Sequence, residues 1–135
     1  METIRLLLVD DEEDFRTTLA SRLKKRNLDV ADVGSGNEAI ELIRERSFDV
    51  AVLDIKMPGM DGIETLRQIK KIAPLVEVIL LTGHGSVEAG IEGMRLGAYD
   101  YVVKPCNVKD LLVKVEDAYI RKLLEEAQQS DQQRA

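Results

Sequence analysis

The sequence has one cysteine and no long apolar run. Cys106 has no second cysteine in the chain to pair with, which is typical of proteins in a reducing compartment. No stretch approaches the roughly 18 consecutive apolar residues of a membrane-spanning helix, and the N-terminal residues lack the layout of a signal peptide. We therefore expect a cytoplasmic protein that does not associate with the membrane.

Basic clusters are also scarce. The formal net charge is −6, and the short run Lys-Lys-Arg at residues 24–26 is best explained as a solvated helix end. Nucleic-acid binding needs a clustered basic face to contact phosphates, so we expect this chain not to bind nucleic acid directly. The 135 residues, 44% hydrophobic and 33% charged, predict one globular domain.

Five apolar, strand-like segments alternate with five helical patterns along the chain. This alternation predicts an α/β fold, in which helices cover both faces of a parallel sheet. Gly90 and Gly93 fall within the fourth helical pattern and predict that this helix is the least stable, because glycine costs about 1 kcal/mol relative to alanine. We expect residues 1–127 to form the domain and the polar residues 128–135 to fray or to begin a linker.

Polar side chains stand at the ends of four predicted strands. Asp10 and Asp11 follow the first, Asp54 ends the third, Thr82 follows the fourth and Lys104 follows the fifth. In a doubly wound sheet these strand ends share one edge, where ligands bind. The acids at 12–14 have a simpler explanation, because negative charge suits the positive N-terminal end of the first helix.

Three carboxylates cannot share a site in ionised form without a cation. Two of them about 4 Å apart repel by roughly 4 kcal/mol at an effective dielectric constant of 20. Oxygen ligands alone favour Mg²⁺ or Mn²⁺. A site that only binds metal, however, leaves Thr82 and Lys104 unexplained.

Phosphoryl transfer uses all of these groups. Asp54 would be the nucleophile, Lys104 and the metal would neutralise the phosphoryl oxygens, and Thr82 would donate a hydrogen bond to one of them. Each residue alone has an ordinary explanation, as a turn former, a strand former or a solvated lysine. Their co-occurrence at successive strand ends favours the phosphoryl-transfer interpretation.

The motifs around these residues resemble those of one family along nearly all of residues 4–127. The chain is similar to bacterial two-component response regulators, specifically their chemotaxis-receiver-like receiver domain. The matching motifs are Leu-Val-Asp10-Asp11, Leu-Asp54-Ile-Lys-Met-Pro58-Gly59-Met-Asp61-Gly62, Leu-Thr82-Gly and Gly97-Ala-Tyr-Asp-Tyr101-Val-Val-Lys104-Pro105.

The resemblance implies a flavodoxin-like fold, a doubly wound five-stranded parallel sheet of order 2-1-3-4-5 with five helices. It also implies that Asp54 accepts a phosphoryl group from a sensor histidine kinase or a phosphotransfer protein. Mg²⁺ would be held by Asp11, Asp54 and the main-chain carbonyl of Lys56, with Asp10 acting through water. Such a domain catalyses only its own phosphoryl transfer and dephosphorylation and is not an enzyme acting on other substrates.

The same resemblance implies a conformational switch. Thr82 would move towards the phosphoryl group and Tyr101 would turn inward, which would reshape the face formed by the fourth helix, the fifth strand and the last helix. The Lys104-Pro105 bond would be cis. The output domain or partner protein cannot be inferred from this sequence, and a homodimer that forms on phosphorylation is left open.

Two residues depart from the common pattern of the family. We interpret Cys106 as a packing residue and not as a redox centre. His84, the one histidine, can border the route of a hydrolytic water or be an exposed loop residue. With no second histidine, we do not expect a phosphohistidine donor within the chain.

Two other functions remain as alternatives. A phosphoaspartyl hydrolase of the haloacid dehalogenase type also uses an Asp nucleophile with Mg²⁺, but its motif at the nucleophile is Asp-x-Asp. Here Ile55 and Lys56 follow Asp54, so the second acid, which would protonate a leaving group, is missing. The second alternative is an interaction module that works without phosphorylation. The presence of every expected site residue disfavours it.

Overall fold

The computed structural model describes residues 3–83 and 87–134. Strands and helices alternate along this part of the chain, as predicted. The strands are β1 (Arg5–Val9), β2 (Asp29–Val33), β3 (Val50–Asp54), β4 (Glu77–Thr82) and β5 (Asp100–Val103), and the helices are α1 (Glu13–Lys24), α2 (Gly36–Glu45), α3 (Gly62–Ile72), α4 (Val87–Arg95) and α5 (Val108–Arg134).

The strands form a single parallel sheet in the order β2-β1-β3-β4-β5. This confirms the doubly wound, flavodoxin-like fold with five helices. The strand order reverses direction between β1 and β3, so the carboxyl ends of these two strands flank the crevice in which doubly wound folds bind ligands. Val9 pairs with Leu53 in the sheet register, and the residues that follow them, Asp10 and Asp54, therefore come side by side.

Alternate residues of each strand face opposite sides of the sheet and create two separate cores. On β1, Leu6 and Leu8 lie in the core formed with α1 and α5. Leu7 and Val9 lie in the second core, with α2 and α3. Full burial of each such side chain contributes about 1.5–3 kcal/mol, and the two layers together hold the strand ends in fixed relative positions.

Polar side chains cap the N-terminal ends of three helices. Ser35 accepts from the backbone N–H of Glu38 at the start of α2, and Asp61 accepts from that of Glu64 at the start of α3. Asn107, just before the last helix, accepts from the backbone N–H of Lys109 at 2.7 Å. These bonds satisfy N–H groups that have no partner within the helix.

The last helix continues into the polar segment. Of residues 128–135, which we expect to fray or to begin a linker, those up to Arg134 extend α5 without a break, and fraying of this end in solution stays a prediction. Good helix formers such as Glu, Gln and Ala occupy this segment, and the ion pair between Lys122 and Glu126 supports it from the preceding turns. The domain boundary at residue 127 stays a prediction. None of the helices described is long and apolar enough to cross a membrane.

Candidate functional site

Four of the predicted site residues meet at the carboxyl-terminal edge of the sheet. Asp10 follows β1, Asp54 and Thr82 are the last residues of β3 and β4, and Lys104 follows β5. Asp10 is fully buried, and Asp54 and Thr82 are 5% and 1% exposed. Two acids are therefore held almost out of water, which requires a compensating partner.

Lys104 supplies that compensation. Its Nζ lies 2.8 Å from Asp10 Oδ2 and 3.4 Å from Asp54 Oδ2. The ammonium also lies over the ring of Phe15, 4.4 Å from its centroid, which is a favourable cation–π geometry. The Lys104-Pro105 peptide bond is cis, as the resemblance implied.

A third carboxylate of the site was not predicted from the sequence. Asp10, Glu12 and Asp54 each place one carboxylate oxygen within 4.8 Å of the others, and Glu12 Oε1 lies 3.6 Å from Lys104 Nζ. Glu12 also has the role assigned to it at the start of α1, where it is the N-cap residue. The predicted ligand Asp11 is exposed and is not part of this group of three.

Burial and charge together raise the pKa of Asp54 to about 6. Loss of hydration is the larger cause, and the neighbouring charge of Asp10 adds to it, while Lys104 opposes both. Burial alone would lower the pKa of Lys104, but its hydrogen bond to Asp10 and the nearby acids outweigh burial and raise that pKa. Lys104 therefore stays an ammonium, and Asp54 takes up a proton more readily than an ordinary aspartate.

The loop between β3 and α3 is folded tightly around Asp54. The backbone N–H of Lys56 donates to Asp54 Oδ1 at 3.3 Å, while the Lys56 side chain is exposed. Gly62, the first residue of α3, allows this helix to begin close to the strand, because a Cβ there would lie 2.2 Å from the carbonyl oxygen of Asp54. The main-chain atoms of the loop are thus placed beside the carboxylate.

The predicted switch residue Tyr101 lies on β5 and is partly buried against the second core. Its ring faces Gly90 of α4, where an added Cβ would come within 3.4 Å of the ring. Cys106 packs against the first core, and burial raises the pKa of its thiol, in keeping with a packing role. His84 lies outside the described residues.

The donor set fits a hard divalent cation. Three carboxylates face one ammonium, which leaves two negative charges in excess when all three acids are ionised. Carboxylate and carbonyl oxygens are the ligands that Mg²⁺ prefers. The acidic pocket is therefore compatible with Mg²⁺.

The fold and this pocket define a doubly wound α/β domain with an acidic, cation-compatible site at its topological switch point. Residues 6–116 match the family model of the response regulator receiver domain. The chain belongs to this family, which is the class of two-component signalling proteins that the motifs indicated.

Curated relatives and solved structures agree with this assignment. The chain is 38% identical over 117 residues to the transcriptional regulatory protein ZraR of Escherichia coli O157:H7, covering 87% of this chain and 26% of the relative. It is 37% identical over 120 residues to a putative NtrX-like response regulator of Rickettsia bellii, covering 87% and 25%. The chain thus spans about a quarter of the length of these relatives.

The structural comparison gives the same family. A crystal structure of a response regulator receiver domain protein from Clostridium thermocellum superposes with a TM-score of 0.86 at 36% sequence identity, covering 90% of this chain and 98% of that one. The likeness therefore extends over almost the whole receiver domain and is not limited to the motifs of the site.

Proposed function

We propose that this receiver domain is a phosphorylation-controlled switch and that Asp54 accepts the phosphoryl group. The donor would be a phosphohistidine on a sensor histidine kinase or a phosphotransfer protein in the cytoplasm. The observation that carries this proposal is the placement of Asp54, which ends β3 among other acids with Lys104 Nζ 3.4 Å from its carboxylate. At neutral pH its pKa of about 6 leaves most of the carboxylate ionised and nucleophilic.

In the proposed step, a carboxylate oxygen of Asp54 attacks the phosphorus atom. An O–P bond forms, the P–N bond to the donor imidazole breaks, and the imidazole nitrogen leaves with the electron pair of that bond. Lys104 neutralises charge on the phosphoryl oxygens, and the Thr82 hydroxyl donates a hydrogen bond to one of them.

A bound Mg²⁺ would supply further positive charge to the same oxygens. Asp10, Asp11, Asp54 and the main-chain carbonyl of Lys56 are the proposed ligand set, with Asp10 acting through water. Asp10 and Asp54 lie in the group of carboxylates at the pocket, and the hydrogen bond from the Lys56 backbone N–H holds this part of the loop beside Asp54. Asp11 is assigned from the family motif alone. The placement of Glu12 beside Asp10 and Asp54 adds a fourth carboxylate to the pocket.

Phosphorylation would change the output face because the phosphoryl group carries up to roughly two negative charges where the Asp54 carboxylate carried one. It also places new acceptor oxygens beside Lys104 and Thr82. Thr82 and Tyr101 are the proposed switch residues. The face formed by α4, β5 and α5 carries exposed apolar side chains, including Ile91, Met94 and Val103, which suits contact with a partner. A second copy of the domain or an unidentified effector would occupy this face.

Labelling of Asp54 tests the proposal. We expect the wild-type chain with Mg²⁺ and acetyl phosphate to take up one phosphoryl group that hydroxylamine removes, and Asp54→Asn to take up none at this site. Asp29→Asn, which changes an exposed aspartate at the start of β2, is the matched control and should label like the wild type. Equal labelling of folded Asp54→Asn would refute the assignment of Asp54.

The same preparation separates the alternatives. A haloacid-dehalogenase-type hydrolase would release phosphate from small phosphomonoesters over many turnovers, whereas the receiver forms a single acyl phosphate per chain. An interaction module that works without phosphorylation would show no Mg²⁺-dependent label from acetyl phosphate or from any cognate kinase. Either result would replace the proposed function.

A further inference from the structure

Arg16 makes two contacts at the edge of the acidic pocket that the proposed chemistry does not use. It lies in the first turn of α1, and its Nη1 donates to the main-chain carbonyl of Asp10 at 2.8 Å. Its Nε donates to Asp32 Oδ2 on β2 at 2.9 Å. The two side chains are 16% and 23% exposed, so this ion pair is partly shielded from solvent and its geometry is restrained by packing.

The local structure leaves space for the guanidinium at this position. Gly34 follows β2 directly, and a Cβ at this residue would lie 2.8 Å from Arg16 Nη1. A side chain at 34 would therefore displace the guanidinium. The guanidinium of Arg16 therefore connects α1 to the ends of both β1 and β2 through two of its N–H groups. The compact ammonium of a lysine could not make both hydrogen bonds with the same geometry.

The contact to Asp10 completes the polar partners of this residue. The backbone N–H of Asp10 donates to the carbonyl of Val33 at 3.2 Å, Oδ1 accepts from the backbone N–H of Glu12 at 2.9 Å, and Oδ2 accepts from Lys104. Arg16 satisfies the remaining carbonyl. The turn from Asp10 to Glu12, which carries two of the three carboxylates grouped at the pocket, is therefore held from α1 by Arg16.

We infer that Arg16 and Asp32 are positioning residues for the divalent cation. They contact neither the cation nor the phosphoryl group, but they fix the backbone that presents the carboxylates of Asp10 and Asp11. Partners that orient metal ligands in this way are worth about 10-fold or more in metal affinity. This inference rests on the proposed metal site of the receiver, and it assigns a role to a pair on α1 and β2 that lies outside the reacting groups.

Metal affinity, measured without any phosphodonor, tests the inference. Mn²⁺ binding followed by electron paramagnetic resonance should weaken about 10-fold in Arg16→Gln and in the same direction in Asp32→Asn. The double variant should be no weaker than Arg16→Gln alone, because both changes remove one pair. The Mn²⁺ affinity of Arg16→Lys should lie between those of Arg16→Gln and the wild type, because an ammonium replaces only part of the hydrogen bonding of the guanidinium.

The control is Arg67→Gln, which removes an exposed arginine paired with Glu64 on α3 and should leave Mn²⁺ affinity unchanged. Urea unfolding accompanies each titration, and if Arg16→Gln does not fold, Asp32→Asn and Arg16→Lys decide the question. Affinities within twofold of wild type in folded variants would overturn the inference, as would a wild-type chain that binds no Mn²⁺. A wild type that binds Mn²⁺ but is not labelled at Asp54 would refute the proposed function and leave the inference standing.

Discussion

Asp54 illustrates how an ordinary side chain acquires an unusual pKa from its surroundings. The sequence shows an acid at the end of an apolar strand, but the raised pKa depends on two further facts, the loss of hydration and the closeness of Asp10. Lys104 counteracts both only in part. The pocket in the metal-free domain therefore has a carboxylate whose ionisation opposes folding.

The pH dependence of stability follows from that shift. The pKa of Asp54 is about 6 in the folded chain against an ordinary value of 3.8, so the folded state binds the proton more tightly than the unfolded state. The contribution of Asp54 to wild-type stability should therefore fall as pH rises from about 4 to about 6 and then level off. The full effect of about two pKa units corresponds to about 3 kcal/mol at most.

Asp54→Asn should remove this dependence. In EDTA at pH 7, we expect the variant to be more stable than the wild type by about 1–3 kcal/mol, with the gap closing towards pH 4. Urea unfolding of both chains across this range measures the difference. A wild type that is the more stable chain at pH 7, or a gap that does not narrow on acidification, would contradict the raised pKa.

At the scale of single elements, α4 shows that glycine content alone does not determine how stable a helix is within the folded domain. Gly90 and Gly93 predict a weak helix from propensity, and that stability stays a prediction. The structure supplies a packing reason for both residues. Gly93 faces Leu80 in the buried strand β4, where an added Cβ would lie 2.1 Å from Leu80 Cδ1, whereas Gly90 leaves van der Waals space beside the ring of Tyr101.

The two glycines should therefore respond in opposite ways to the same added methyl group. Gly93→Ala should destabilise the domain by about 1 kcal/mol or more, because overpacking against the fully buried Leu80 exceeds the gain in helix propensity. Gly90→Ala should stabilise it by up to about 1 kcal/mol. Urea unfolding of the pair measures both, each serving as the control for the other, and equal changes of one sign would show that propensity alone decides.

At the scale of the whole molecule, the edge of the sheet opposite the acidic pocket has its own buried charge network. Asp49, which directly precedes β3, is buried, and its carboxylate accepts a hydrogen bond from Lys122 Nζ of α5 at 2.8 Å. It also accepts from the backbone N–H and the side chain of Arg5 at the start of β1. Burial alone would raise the pKa of Asp49, but the bonds from Arg5 and Lys122 lower it. This network connects the long last helix to the sheet.

Loss of the Lys122 ammonium should lower the stability of the whole domain. Lys122→Met should lower the free energy of unfolding by about 1–3 kcal/mol, less than a fully broken buried pair costs, because Arg5 still serves Asp49. Lys109→Met, at an exposed position of the same helix, should stay within about 0.5 kcal/mol of wild type. Thermal or urea unfolding gives the comparison, and equal effects of the two variants would exclude an anchoring role for Lys122.

The sequence by itself determined the alternation of strands and helices, the parallel α/β class and four residues at the strand ends. These features follow from local periodicity and from the rule that parallel strands end at one edge, so they need no knowledge of packing. The strand order came from the family resemblance and is confirmed. The sequence leaves the end of α5 open, because polar residues can fray or continue a helix equally well.

Only the tertiary structure brought Glu12 to the pocket, placed Arg16 between the ends of β1 and β2, and gave Gly62 and Gly93 their close contacts. Each of these depends on how far two elements distant in sequence approach one another. That distance is decided by side-chain packing across the two cores, and no local pattern encodes it.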